Sequence, residues 1–373
     1  MPYDVPRPRG SSLVHQADLF YAMQLLFEDR LGIDVYTPVG QEWFDEGYWQ
    51  FGAEHLGRAL ADQFLGLDAK WTRHADHRCS FDPAHPRRLI LGVTLDQFRA
   101  MGHWSYVVAT VQDNQEGFRR LADETGARYV YQVGNTRQQV RWDLDPLALV
   151  SSEVPIVGRG VRIHQPFDHE TTFRYRPPKD KEDAQRRKGV TSTPSTKSPS
   201  IAVGRVDRLR IISSFVNCFP RIEPSDGYDC YRDFEAIRAY LPEFTFGVYG
   251  IDGPDGNLHP VEAIADAMAA SGFAWHDKIT GDGFGHVLHN WAAVGRPLIG
   301  HASHYRGQLG EHLWQDGVTC IDLDGRSPEG AADAICAIAA DPDRHRAMCV
   351  AIRAEFDRID WRGEVAAVMG LLA

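Results

Sequence analysis

Apolar residues along the chain arrive in short blocks with two different periods. Residues 19 to 31 are apolar at Leu19, Phe20, Ala22, Met23, Leu25, Leu26 and Phe27, which predicts a helix with a broad buried face. Gly32 ends that helix, and Ile33 to Tyr36 reads as the strand that follows. A short first strand at Ser11 to His15 completes a βαβ opening. Further strands are expected at 88–95, 106–111 and 128–133 and after Gly160, with an amphipathic helix at 116–125. Strands separated by helices of this length imply a parallel sheet wound on both faces. Ligands collect at the carboxyl ends of such sheets. His15, Asp113, Asn114, Asn135 and His164 fall at those ends and are candidate ligand contacts. The same residue types also suit turns and helix caps, so both readings stand.

The pattern stops at Arg176. From there to Gly204 apolar residues almost vanish, while Lys179, Lys181, Arg186, Arg187 and Lys188 give way to a Ser/Thr/Pro run. That composition is a linker or long loop, and its basic cluster is either a solvated face or an arm that touches a polyanion. A second alternation then begins, with strands expected at 210–215, 244–249, 273–276, 297–299 and 318–323. Helices are expected at 231–241, 260–270, 309–314 and 328–358, the last interrupted at Asp341-Pro342. The division expected is a first domain at 1–175, a linker at 176–204 and a second α/β domain with terminal helices at 205–373.

Composition narrows the class. The chain has 373 residues, enough for two domains of about 150 residues each. No run approaches the roughly 20 apolar residues of a membrane helix. The opening Met1 to Gly10 carries Asp4 and three prolines, so export is not expected and a cytoplasmic location is. A net charge of −11 argues against a chain built mainly to grip a polyanion, without excluding a local basic groove. The six cysteines have no CxxC spacing and read as small buried hydrophobes in a reducing compartment. His74, His77, Cys79 and His85 are too loosely spaced to predict a metal. Trp43, Phe44, Tyr48, Trp49 and Phe51 read as a packed flap or a stacking surface for an acceptor.

The chemistry concentrates between Trp275 and Asp324. A short apolar entry leads to Gly281-Asp282-Gly283-Phe284-Gly285-His286, then to a helix-length run, Gly295-Arg296-Pro297, and Asp316-Gly317-Val318 before the next strand. Glycines where a strand gives way to a helix let backbone N–H groups approach an anion, and the helix N-terminus adds favourable partial charge. His286 and His289 lie three apart on the expected helix and share a face, either as core or capping residues or beside a ligand.

This stretch resembles the C-terminal half of the retaining nucleotide-sugar glycosyltransferases of family 4. Their motif runs from an acid through Gly-Phe-Gly and a second acid to Ala-x-Gly-x-Pro-Val-Ile. Here the spacing is kept, but the first acid is Asp282 in place of Glu and the second position is Asn290. The resemblance covers about residues 205–360. It implies a GT-B architecture, in which two Rossmann-like doubly wound domains face each other across a cleft. It also implies that Gly283, Phe284 and Gly285 bring backbone donors to the donor sugar and diphosphate, and that Asp282, a catalytic residue in this reading, hydrogen-bonds a donor-sugar hydroxyl. Asn290 stands where the family binds the ribose. Basic side chains, with Lys278, His276 and Arg221 as candidates, would neutralise the diphosphate without a metal or other cofactor. His15, Asn135 and His164 would present the acceptor, and His15 is also a candidate catalytic residue. The acceptor expected is a glycan, a small molecule or a modified DNA base, as in phage DNA glycosyltransferases. A non-catalytic module that only binds nucleotide sugar is the competing reading, because the second acid is absent. A sugar-nucleotide epimerase lacks identifiable proton-transfer acids, and a Rossmann dehydrogenase lacks an opening GxGxxG.

Overall fold

The computed structural model describes residues 9–13, 24–38, 78–79, 90–93, 95–102, 104–109, 115–133, 139–177, 207–216, 219–221, 229–250, 252–258, 261–279 and 285–373. Among these residues the strands form two sheets. The first contains β1 (Arg9–Leu13), β2 (Asp34–Pro38), β3 (Arg78–Cys79), β4 (Ile90–Val93), β5 (Tyr106–Ala109), β6 (Arg128–Val133), β7 (Leu147–Val150) and β8 (Gly160–Arg162). Its order is β3-β4-β2-β1-β5-β6-β7-β8, and every pairing is parallel except β3 with β4. The second contains β9 (Ile211–Ser214), β10 (Thr245–Val248), β11 (Phe273–Trp275), β12 (Leu298–Gly300) and β13 (Cys320–Asp322), in the order β10-β9-β11-β12-β13, all parallel. The two α/β units expected from the hydrophobic pattern are both present.

Burial explains why these segments are strands. Leu147 to Val150 is buried at all four positions and Val107 to Ala109 at three in a row, as sheets covered on both faces require. The helices that cover the first sheet include α1 (Leu95–Ala100) and α2 (Gln115–Thr125). Phe98, Phe118 and Leu121 pack there with Trp104, Tyr129 and Tyr131. On the second sheet α3 (Cys230–Arg238) and α6 (Pro328–Ala339) cover one face, while α4 (Val261–Ala270), α5 (His286–Val294) and α7 (Pro342–Phe356) cover the other. Ser327 and Asp341 cap α6 and α7, each followed by proline at the first helical position.

Several expectations need correction. The strand expected over 88–95 stops at Val93, because Leu95 and Phe98 bury together as one face of α1. Leu147–Val150 carries no alternation and gave no strand signal, yet it pairs between β6 and β8. The helix expected over 309–314 is only a 3-10 turn at Glu311–Leu313. The Thr319 hydroxyl donates to the Leu313 carbonyl at 2.7 Å, occupying the acceptor that a longer helix would use.

The last helix, α8 (Trp361–Leu372), departs furthest from the domain division at 205–373. Val368 and Leu372 pack with Leu26, Phe27, Val130, Leu149 and Ile163, so α8 covers the first sheet rather than the second. Tyr106 donates its hydroxyl to the Leu372 carbonyl at 3.1 Å, and Arg128 donates to Ala373 O at 2.8 Å. In the opposite sense, Phe167 and Phe173, which follow β8, pack with Trp291 and Phe356 of the second unit. The chain therefore crosses the seam twice. Glu364 of α8 closes it, accepting from the His164 amide at 2.9 Å and from His164 Nδ1–H at 2.6 Å.

Replacing Glu364 by Ala removes both hydrogen bonds from this partly buried seam. The expected loss is about 1.5–3 kcal/mol, read as a lower melting temperature, while circular dichroism keeps its α/β shape. An unchanged melting temperature would mean that the seam is held by packing alone.

Candidate functional site

The second sheet reverses its strand order between β9 and β11, so its carboxyl edge is where a ligand is expected. Three features gather at that edge. One is the residues just past β11, the second is the residues just past β12, and the third is the opening of α5.

Helix α5 starts directly after Gly285, which is buried and acts as N-cap with φ 65° and ψ 64°. That left-handed conformation is costly for any residue with a Cβ and accounts for the second glycine of the Gly-Phe-Gly turn. Asp282, Gly283 and Phe284 lie outside the described residues, as do His15 and Asn135. The helix itself places the remaining candidates. His286 is its first residue, half-buried, with its ring 6.1 Å from that of Phe167. His289 is fully buried and donates from Nδ1 to the Gly285 carbonyl at 3.1 Å, tying the helix to its own cap. Asn290 is half-buried, and its side-chain oxygen is buried with no hydrogen-bond partner. An amide oxygen in that state is an acceptor available to a ligand hydroxyl.

The other predicted residues are dispersed. His164 lies at the seam, its ring 5.5 Å from that of His289, so it bridges toward α5 rather than standing apart with the first sheet. His276 is buried at 1% exposure, its ring 5.9 Å from Tyr305. Lys278 is half-buried on the same connection, two residues on. Arg221 closes a short 3-10 turn, Phe219–Arg221, after β9.

Sequence reasoning missed the most strongly interacting group at this edge. Asp277 is fully buried and accepts from His301 Nδ1–H at 2.9 Å and from His304 Nδ1–H at 2.8 Å. Burial opposes ionisation of Asp277, but the hydrogen bonds from the two histidines outweigh it and hold the carboxyl well below the usual carboxylate range. Burial also opposes protonation of His301, and Asp277 reverses that balance, raising the His301 pKa. A carboxylate can only accept, so both rings carry the proton on Nδ1. Cys230, the first residue of α3, adjoins Asp277, and burial together with that charge pushes its thiol up to about 12. The only sequence signal was positional, since Asp277 lies two residues past the end of β11 and His301 directly follows β12.

Glu153 was also missed. It follows β7 at the carboxyl edge of the first sheet, and burial raises its pKa. Both carboxyl oxygens are buried, and the backbone N–H groups of Glu153 itself and of Leu309 in the second unit act on the carboxyl and lower its pKa against that burial.

No family model matches the chain, and no curated protein sequence does. Solved structures do. Anabaena HepE in complex with UDP and glucose superposes with a TM-score of 0.58 at 13% identity, covering 98% of this chain and 99% of that one. Sucrose-phosphate synthase from Thermosynechococcus elongatus gives 0.56 at 14% identity, covering 98% of each chain. An alpha-glucosyltransferase in complex with UDP and a 13-mer DNA containing an HMU base gives 0.53 at 8% identity, covering 98% of this chain and 99% of that one. The fold is GT-B.

Several buried histidines of the seam and of the second core are neutral in the folded chain. Burial lowers the pKa of His169, His289, His312 and His345, and the neighbouring His164, His286 and His312 lower that of His289 further. The unfolded chain binds protons at these rings below about pH 6.5, whereas the fold resists them. Their contribution is therefore full above pH 6.5 and is lost as pH falls towards the lowered values. His301 acts in the opposite sense, its contribution being full below the unfolded value and lost as pH rises through the raised one. With four groups against one among the described residues, stability should fall between pH 7.5 and 5.5 by up to about 1.4 kcal/mol per pH unit for each buried ring, read as a falling melting temperature. His289→Gln should flatten the profile, and a wild-type profile already flat over this range would contradict the assignment.

Proposed function

We propose that this chain is a glycosyltransferase that moves a sugar from a nucleoside diphosphate sugar to an acceptor hydroxyl. The observation that carries the reading is the opening of α5. A left-handed glycine cap places a helix N-terminus at the carboxyl edge of the second sheet, and one turn further in Asn290 keeps a buried, unpaired acceptor oxygen. The diphosphate fits the first feature and the ribose hydroxyls fit the second. The GT-B neighbours support this, since several were solved with UDP.

In this reading Asp282 takes a donor-sugar hydroxyl, and the Gly283-Phe284-Gly285 turn gives backbone donors to the phosphates. Lys278 and Arg221 add positive charge as the leaving group departs. On the acceptor side, Glu153 joins His15 and Asn135. Its buried carboxyl can accept from the incoming hydroxyl and, with its pKa raised, sits nearer the range of a general base. Retention of configuration and a reaction that needs no metal follow from the family resemblance and are part of the proposal.

Thermal-shift screening against uridine and guanosine diphosphate sugars tests the binding step. At 100 times its dissociation constant a donor should stabilise the chain by about 2.7 kcal/mol. Asn290→Ala should leave the free protein as stable as before, because the amide oxygen it removes has no partner. It should weaken the nucleotide by about 1–2 kcal/mol, or roughly 5–30-fold. Asp282→Ala should abolish turnover of a labelled donor. If no nucleotide sugar shifts the melting curve and Asp282→Ala changes nothing, the reading fails.

A second acceptor class has its own support. One neighbour was solved with DNA containing a modified base, and the stretch around Arg186, Arg187 and Lys188 is basic in an otherwise acidic chain. A salt-sensitive gel shift with duplex DNA separates this acceptor from a glycan or small molecule.

A further inference from the structure

Three connections of the second unit converge on Asp277. Cys230 opens α3, Asp277 lies two residues past β11, and His304 belongs to the 3-10 turn Ala302–Tyr305 that follows β12. One sulfur, one carboxylate oxygen and one ring nitrogen from these three residues all lie within 4.8 Å of one another. Cys230 is 4% exposed and Asp277 is fully buried, while the His304 side chain is 9% exposed. We propose that Cys230, Asp277 and His304 form a zinc site that fastens the start of α3 to the carboxyl edge of β11 and β12.

The donor set selects the metal class. A thiolate, an imidazole and a carboxylate together suit zinc, whereas magnesium and calcium take oxygen ligands only. The surroundings match what a ligating carboxylate needs. Asp277 can bind through Oδ1 because His301 Nδ1–H holds Oδ2 at 2.9 Å, fixing its orientation, and the ion replaces the His304 Nδ1–H bond that Oδ1 accepts in the metal-free chain. His301 is in turn surrounded by the charges of Asp324 and Asp233.

Proton balance is simple. The high thiol pKa of Cys230 reflects burial beside an anion, so the metal-free thiol keeps its proton. Binding Zn²⁺ releases that proton to solvent, and the ring nitrogen that ligates gives up any proton it holds. The ion lies outside the transfer reaction proposed above and does not depend on it. Its effect is positional, because the residues past β11 and those past β12 lie together at the carboxyl edge of the second sheet.

The test uses the full chain, stripped with chelator and dialysed. Added Zn²⁺ should bind at one equivalent per chain and raise the melting temperature by several degrees. Added Co²⁺ should give visible bands of tetrahedral coordination together with a near-ultraviolet thiolate-to-cobalt band. Cys230→Ser should remove the thiolate band, and His304→Ala should lower zinc affinity at least tenfold. His74→Ala/His77→Ala serves as the control for the other histidine-rich segment and should change neither signal. The proposal is overturned if stripped protein takes up no stoichiometric Zn²⁺. It is equally overturned if binding and the thiolate band survive in Cys230→Ser.

Discussion

The architecture depends on a pair of hydrogen bonds across the seam between two sheets. Glu364 comes from the end of the chain and His164 from the end of the first sheet, 200 residues apart in sequence. Their contact fixes where α8 lies, and α8 supplies Val368 and Leu372 to the first core. The segment after β8 makes the reciprocal move by placing Phe167 and Phe173 in the second core. Each unit is thus completed by a piece of chain that belongs, in sequence, to the other.

Burial of polar groups organises the second unit. Arg296, from the Gly-Arg-Pro segment, is 3% exposed and spends its guanidinium on carbonyls. It donates to Arg176 O at 2.9 Å and to Ala269 O at 2.7 Å, satisfying the end of α4 and holding the crossing segment in place. Asp277 does the same with opposite charge, taking two imidazole protons at the sheet edge. Groups this deeply buried persist only when partnered, so their partners are as fixed as the core itself. Asn290 departs from that rule, as Gln132 and Ser151 of the first unit do, because each leaves a buried oxygen without a partner.

Hydrophobic periodicity, glycine placement and capping residues made the second unit legible from its sequence. Its five strands and main helices fall where the pattern put them, and Gly285 and Gly295 mark the two ends of α5, both with positive φ. Local chemistry decides such features, so a window of ten residues contains the information. The Leu147–Val150 strand escaped because a strand buried on both faces has no alternation to read. The turn at Glu311–Leu313 was overread because an apolar run says nothing about a hydroxyl arriving from Thr319.

The site divides along the same line. The sequence by itself determined the glycine cap at Gly285, the helix it opens and the position of Asn290, because these follow from backbone conformation and spacing along one segment. Only the tertiary structure decided that Cys230, Asp277, His301 and His304 share one buried cluster, and that His164 belongs to a seam with Glu364 and His289. Those contacts join loops from different strands and opposite ends of the chain. Their energies depend on burial and on partners tens to hundreds of residues away, and no local pattern encodes either.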